Sequence, residues 1–321
     1  VNNGQASGTV NGSEKVGGFA GYVSNADIHG STASGAVTGA NKVGGFAGVT
    51  DAIDDYATID NSSTTSVVNG GSEVGGFIGF TIGDVTVENN TTTGAVSGDD
   101  VVGGFYGHAE GPLISLNNSA SGAVSGKGAV GGFVGENASL LDGRDGNVTT
   151  SLVTGLAGGD GGVGGFAGVN LEGGEILYVT TTNAVTSDAD DTGGIVGRNE
   201  FIVDRSIANN AVTSTGSATG GAVGRNGAGA LLDDTVTNNT VNGLLQVGGL
   251  VGVNEGEIDD SVANGAVTGL AMVGGAVGEN TGEIDDSIAY GVVNGANKVG
   301  GFVGANGGDI DQSHAHGLVT G

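Results

Sequence analysis

The stretch "NGANKVGGFVGANGGDIDQSHAHGLVTG", residues 294–321, decides the fold, because much of it is repeated elsewhere in the chain. "GANKVGGFAG" at 39–48 nearly duplicates part of it. Its Gly-Gly pair recurs eleven times, at intervals of 26–33 residues with a mean near 28. The copies begin at Val16, Val43, Val74, Val102, Val130, Val163, Thr192, Thr219, Val247, Val273 and Val299. A period of this length indicates a solenoid, in which each repeat forms one coil.

A second phrase lies between the Gly-Gly pairs and reads aliphatic-x-x-Ser-x-Ala-x-Gly-x-Val-x-Gly, as in "IDDSVANGAVTG" at 258–269. Small residues alternate with variable ones, which is the pattern of a strand with one buried face. The phrase has a valine in all twelve copies: Val10, Val37, Val68, Val96, Val124, Val153, Val185, Val212, Val241, Val267, Val293 and Val319.

We therefore predict a single all-β domain over residues 1–321, a β-solenoid of about eleven coils of about 28 residues. Two or three short strands per coil, stacked at about 4.8 Å, would give a rod of roughly 50 Å. Seven copies supply one large side chain per layer, although the sequence leaves its direction open: Phe19, Phe46, Phe77, Phe105, Phe133, Phe166 and Phe302. The neighbouring glycines would allow close backbone approach.

The phrase "VGGFVG.N.G.I..S...G.V.G" resembles the GLUG motif, a repeat of large surface and secreted proteins of bacteria and archaea, including some immunoglobulin-A-cleaving metallopeptidases. The resemblance implies a right-handed β-helical stalk or adhesin region without catalysis. Thr192 and Thr219 depart from the motif by replacing its first valine, and extra residues near 140–160 predict a bulge or loop. The peptidase activity is not implied, since the chain has no His-Glu-x-x-His.

Composition excludes several other classes of protein. The 71 glycines do not recur at every third residue, as collagen requires. The absence of cysteine excludes disulfides and thiolate metal sites. A net charge of -27 argues against binding to nucleic acid or to an anionic membrane surface. The acidity indicates either a strongly hydrated surface or adaptation to high salt.

The acidic turns are the best candidates for a site. Asp259, Asp285 and Asp311 occupy equivalent positions, so stacking would place them about 5 Å apart. Either salt screens their repulsion in hydrated turns or a cation such as calcium bridges them. His314 and His316 are expected to share one face of a strand. They either form a metal-binding pair or are variable residues that point outward. We predict no catalytic residues and no cofactor other than calcium.

Two sets of polar residues suggest surface roles. Potential N-glycosylation sequons begin at Asn11, Asn61, Asn89, Asn90, Asn117, Asn137, Asn147 and Asn238. A second set directly follows the repeated valine, and either bonds along the stack or forms a flat face for carbohydrate or ice: Asn11, Thr38, Asn69, Ser97, Ser125, Thr154, Thr186, Thr213, Asn242, Thr268, Asn294 and Thr320.

Segments 1–12 and 310–321 occupy the same phase of the repeat, and the sequence opens without a signal peptide or a cap. This favours a piece of a longer protein, with end-to-end stacking into a filament as the alternative. We predict a non-enzymatic extracellular stalk, adhesin or filament subunit at a cell or virion surface. Its partners would be other coils, surface glycans or a host receptor, without membrane insertion. The alternative is a carbohydrate- or receptor-binding module, for which the tyrosines look too scattered.

Overall fold

A computed structural model describes the backbone of residues 1–321 and all side chains except those of Asp54 and Asp55. The chain is an all-β parallel solenoid of about eleven turns, as predicted. Named strands pair in parallel with the equivalent strand one coil away, so valine lies over valine: Val241 pairs with Val267, Val267 with Val293, and Val293 with Val319. Among the described residues the one helix is a 3-10 turn at Gly143–Asp145.

Each coil contains four or five strands, rather than the two or three that were predicted. Most strands have only two to four residues, and the turns between them often contain glycine or a residue with positive φ. Such short strands hardly reveal a period-two pattern in the sequence. Asn, Asp and Gly tolerate a left-handed backbone, and many of the positions with positive φ are occupied by one of these three residues.

Two six-stranded sheets, the alanine sheets, contain the alanine position of the second phrase and the residue before it. The first consists of Gln5–Ala6, Thr32–Ala33, Ser63–Thr64, Thr91–Thr92, Ser119–Ala120 and Val148–Thr149. The second consists of Thr180–Thr181, Ile207–Ala208, Val236–Thr237, Val262–Ala263, Ile288–Ala289 and His314–Ala315.

The twelve-stranded valine sheet follows after two or three further residues in each coil. Its strands are Val10–Asn11, Ala36–Thr38, Val67–Asn69, Val96–Ser97, Val124–Gly126, Val153–Gly155, Val185–Ser187, Val212–Ser214, Val241–Asn242, Val267–Thr268, Val293–Asn294 and Val319–Thr320. Burial alternates strictly through an alanine strand and the following valine strand, for example over 180–186 and 207–213. The two strands therefore present one continuous outer face.

The eleven-stranded glycine sheet contains the first Gly of each Gly-Gly pair. Its strands are Glu14–Gly17, Asn41–Gly44, Ser72–Gly75, Val102–Gly103, Val130–Gly131, Val163–Gly164, Thr192–Gly193, Ser217–Gly220, Leu245–Gly248, Ala271–Gly274 and Asn297–Gly300. A Cβ on Gly44 would lie 1.8 Å from the Ala47 carbonyl oxygen, and one on Gly45 would lie 2.2 Å from the Gly76 oxygen in the next coil. The repeated glycines are thus required by close backbone approach.

The thirteen-stranded long sheet continues from the phenylalanine position. Its strands are Ala20–Ser24, Asp27–His29, Ala47–Asp60, Ile78–Glu88, Tyr106–Glu110, Leu113–Leu116, Val134–Ala138, Ala167–Asn170, Val196–Asn199, Val223–Asn226, Val251–Asn254, Val277–Asn280 and Val303–Asn306. Two of its early strands run on for 14 and 11 residues, whereas later coils turn a corner at an asparagine.

After that corner comes the seven-stranded acidic sheet, present only in the later coils. Its strands are Leu140–Asp142, Glu175–Leu177, Ile202–Asp204, Leu231–Asp233, Glu257–Asp259, Glu283–Ile284 and Asp309–Ile310. The extra residues near 140–160 form the Gly143–Asp145 turn and segment 156–162, which lies outside the strands, as the sequence predicted.

The phenylalanines point inward and form the centre of the main core. Six consecutive rings, from Phe19 to Phe166, stack with centroids 4.7–5.2 Å apart and planes within 20°. Smaller aliphatic residues replace them in most later coils: Ile195, Ala222, Leu250 and Ala276. The structure therefore settles the direction that the sequence left open.

A second, thinner core lies between the valine sheet and the glycine sheet. It consists of two parallel columns of valine, such as Val37 with Val43, and it divides into two separate clusters. The division falls where Thr192 and Thr219 replace valine. Both threonines are fully buried, and the hydroxyl of Thr219 has no hydrogen-bond partner among the described residues.

Candidate functional site: the acidic sheet

The acidic turns repeat one local geometry in successive coils. Ile258 points into the core, Asp259 follows it, and Asp260 takes a left-handed φ of 45°. The Asp259 carboxylate accepts the backbone N–H of Asp260 at 2.9 Å, and the Ser261 hydroxyl donates to the Asp259 carbonyl at 2.8 Å. The same carboxylate contact recurs from Asp286 to Asp285 and from Gln312 to Asp311. The repeated Ile-Asp-x-Ser sequence therefore fixes where each carboxylate lies.

The turns bring carboxylates from neighbouring coils together in two overlapping triads. Oxygen atoms of Asp233, Asp259 and Asp260 lie within 4.8 Å of one another, as do those of Asp259, Asp285 and Asp286. The predicted pair of Asp259 and Asp285 is thus adjacent. Asp311 continues the stack one coil further, with its backbone N–H bonded to Ile284 at 2.9 Å, but it joins neither triad.

Three triad members were missing from the sequence prediction, namely Asp233, Asp260 and Asp286. The signal for Asp260 and Asp286 was present in the doubled aspartate of "IDDS". What the sequence did not give was the left-handed turn, which brings the second aspartate within reach of the stacked column.

The electrostatic environment of the stacked aspartates changes along the acidic sheet. Arg205 lies at one end, with its Nη1 2.9 Å from the Asp204 carboxylate and its Nε 3.7 Å from that of Asp234. In the described part of the chain, no basic side chain lies within 4 Å of the carboxylates of Asp259, Asp285 or Asp286. Repulsion in the later coils is therefore not compensated by ion pairs.

This crowding changes the proton affinity of several carboxyls. Partial loss of solvation is the largest cause that raises the pKa of the exposed Asp286, and the neighbouring charges of Asp285 and Asp260 raise this pKa further. Burial also raises the pKa of Asp233, followed by the charge of Asp204. The pKa of Asp204 is raised by burial as well, although the Arg205 charge opposes this. The column therefore favours whatever lowers its negative charge, either protons or cations.

A surface groove of about 460 Å³ lies beside the acidic sheet, where it meets the long sheet. Its acidic lining residues are Glu255, Glu257, Glu283 and Asp309, and the rest of its lining is Ala, Thr and five glycines. Oxygen ligands of this kind are the ones that calcium takes. The groove and the two triads together place nine carboxylates on or beside this sheet.

The other residues singled out in the sequence lie apart from the acidic sheet. His314 lies in the last alanine strand and His316 directly follows that strand, with ring centroids 6.4 Å apart, and His316 stacks on Tyr290 at 5.2 Å. The polar residues after the repeated valine are outward, from Asn11 to Thr320, and one bond links them along the stack, from Ser97 to Asn69 at 2.6 Å.

The sequons divide by exposure. Asn11, Asn61, Asn89, Asn117 and Asn238 are exposed, and their glycosylation stays a prediction. Asn90, Asn137 and Asn147 are buried, and their amide nitrogens donate hydrogen bonds inside the solenoid. Since a glycan would occupy that nitrogen, the folded chain offers these three no free attachment point.

A buried column of asparagines was also missed, although the "VG.N" part of the repeat carried its signal. Each Nδ2 donates to the Oδ1 of the next asparagine at 2.8–2.9 Å through six successive contacts. The column forms the corner between the long and acidic sheets, and its members are Asn137, Asn170, Asn199, Asn226, Asn254, Asn280 and Asn306.

Comparison with known proteins agrees with this architecture. Segments 12–38 and 243–268 match the family model described as the GLUG motif. Each segment spans about one coil, from the start of the glycine-sheet strand to the valine sheet. Searches of curated proteins and of solved structures return no significant match. No helix in the described part of the chain is long and apolar enough to cross a membrane. The chain therefore contains the GLUG motif in at least two of its coils, as the resemblance predicted.

Proposed function

We propose that this protein is a non-enzymatic structural element, a rigid β-solenoid stalk or adhesin segment of an extracellular surface structure. The observation that carries the proposal is the continuous twelve-stranded valine sheet, in which every strand pairs in parallel with the next coil. Backbone hydrogen bonds thus run along the rod axis from Val10–Asn11 to Val319–Thr320. Such bonding supports length and stiffness, because every coil is held by its neighbours.

Three side-chain columns reinforce the same axis. The phenylalanine rings stack in six consecutive coils, the valines fill a second core, and the buried asparagines bond through seven coils. Each interaction joins one coil to the next rather than closing a pocket around a ligand. The variable outward residues would then supply contacts to surface glycans, a receptor or further coils.

Calcium is part of the proposal as a reinforcing ion of the acidic sheet. The residues that would hold it are Asp233, Asp259, Asp260, Asp285 and Asp286, whose oxygen atoms suit a hard cation. A bound cation would offset their mutual repulsion and join adjacent coils. High external salt would act in the same direction by screening.

Small-angle X-ray scattering tests the rod. The expected form is an elongated particle of roughly 50 Å, with coils spaced by about 4.8 Å. Deleting residues 243–294, which span two coils, should shorten the rod by about 10 Å and leave a β-rich circular dichroism spectrum. A compact globular particle, or loss of all structure after the deletion, would contradict the stalk.

A further inference from the structure

One outer face of the solenoid, the uncharged face, contains no Asp, Glu, Lys or Arg. It is formed by the alanine and valine strands of all twelve copies of the second phrase, whose seven-residue segments are 5–11, 32–38, 63–69, 91–97, 119–125, 148–154, 180–186, 207–213, 236–242, 262–268, 288–294 and 314–320. The chain has 35 acidic and 8 basic residues, and all of them lie elsewhere. Charge is thus excluded from this surface along the whole rod.

The uncharged face is also where large exposed aliphatic side chains concentrate. Val67, Val148, Leu152, Ile207 and Val292 all project from it, with 37–53% of each residue exposed. Leu156, Leu244 and Leu270 continue this apolar surface along the edge next to the glycine sheet. Columns of Ser, Thr and Asn lie between the aliphatic residues. About a third of the outward positions are therefore apolar, and most of the others are neutral polar.

Carboxylates border the uncharged face on both sides. Asp260 and Asp286 precede its alanine strands, and Asp99, Asp100 and Asp188 follow its valine strands. An uncharged centre with a charged rim is the anatomy of a protein–protein interface. The face measures about 55 Å by about 23 Å from strand spacing and rise, or roughly 1,200 Å². A stable dimer needs about 800 Å² per partner.

We propose that the uncharged face is a pairing surface for a second copy of this chain, packed side by side with its own uncharged face against the first. Two copies with a net charge of -27 repel through their other surfaces, whereas this face brings no charged side chain into contact. Pairing also removes the aliphatic side chains from water. A carbohydrate is less well matched, because the face has no Phe or Trp and its one tyrosine, Tyr290, is stacked on His316.

The test is sedimentation equilibrium of the full chain with one carboxylate placed on the face. In Ala211→Glu the new charge lies on an exposed position at mid-length, and the matched control, Ala228→Glu, puts it on an exposed loop outside the face. We expect a wild-type dimer that tightens as NaCl is raised, a dissociation constant at least about tenfold higher for A211E, and no change for A228E. A monomeric wild type, or equal weakening by both variants, would overturn the proposal.

A second measurement does not depend on the folding of the glutamate variants. Because the chain has no cysteine, Ala211→Cys and Ala228→Cys each carry a single spin label. In the proposed dimer the label at 211 reports a short inter-copy distance by electron paramagnetic resonance, and the label at 228 a long one. A shorter inter-copy distance at 228 than at 211 would contradict pairing through the uncharged face. A monomeric chain that sediments with insoluble chitin or cellulose would instead assign the face to a neutral polysaccharide.

Discussion

Among single residues, the stacked phenylalanines fill the centre of the main core. Phe133 lies between Phe105 and Phe166, with centroid distances of 5.2 and 5.0 Å, and is fully buried. We expect Phe133→Ala to lower the free energy of unfolding by about 3–5 kcal/mol, because it leaves a cavity between two rings. Urea denaturation measures this. Phe133→Leu, which imitates Leu250 in a later coil, should cost much less, and equal losses would refute the stacking argument.

Asp259 is the residue shared by both carboxylate triads. If calcium binds there, calcium should raise the melting temperature of the wild-type chain, and Asp259→Asn should remove most of that rise. Differential scanning calorimetry with calcium and with equal ionic strength of NaCl separates binding from screening. Asp27→Asn is a suitable control, since Asp27 is exposed and far along the chain from the triads. Identical responses to the two salts would count against a bound ion.

At the scale of the structural element, the asparagine column determines the corner between the long and acidic sheets. The Asn226 amide donates to the Asn254 Oδ1 at 2.9 Å and to the Glu257 carbonyl at 3.0 Å. Asn226→Ala should leave buried acceptors unpaired, at about 1–3 kcal/mol for each. Hydrogen exchange at Leu231–Asp233 should accelerate. Asn306→Ala, at the exposed end of the column, should have little effect, and the reverse ranking would contradict this account.

At the scale of the whole molecule, the charge distribution predicts an unusual pH dependence. Folding raises the pKa of five carboxyls, with loss of solvation as the first cause in each: Glu73, Asp191, Asp204, Asp233 and Asp286. The folded chain therefore binds protons more tightly than the unfolded chain, so stability rises as pH falls toward the ordinary carboxyl pKa near about 4. Asp142 opposes this, since its hydrogen bond from Arg144 lowers its pKa.

We accordingly expect the urea concentration at the unfolding midpoint to increase as the pH is lowered from about 6.5 to about 4.5. The double variant Asp233→Asn, Asp286→Asn should flatten that increase, because it removes two of the raised groups. Replacing two exposed acids that lie far along the chain from the acidic sheet, Asp27 and Glu14, provides the control with the same charge change. A wild-type midpoint that falls steadily over this range would show that Asp142-like pairs dominate.

The repeat predicted the architecture because its positions are dictated by the interior. The same steric limits recur from coil to coil. They require glycine at positions such as Gly44 and Gly45, and they select the inward valines and the large ring. The left-handed turns at Asp260 and Asp286 depend instead on local backbone geometry, and residue spacing alone does not reveal this geometry. For that reason the stacked aspartates were predicted, whereas the triads were not. The repeated asparagine could be seen in the sequence. Its hydrogen-bond partners could not be predicted, because they depend on the corner between the long and acidic sheets.

The break between the two valine clusters has a mechanical consequence. Thr192 and Thr219 place hydroxyl groups where other coils have valine, and the Thr219 hydroxyl and the nearby Asn239 Oδ1 have no partner among the described residues. Coils joined by less apolar contact separate under a smaller load than coils joined by valine on valine. A pull along the rod would therefore rupture first in the middle, and leave two shorter intact blocks.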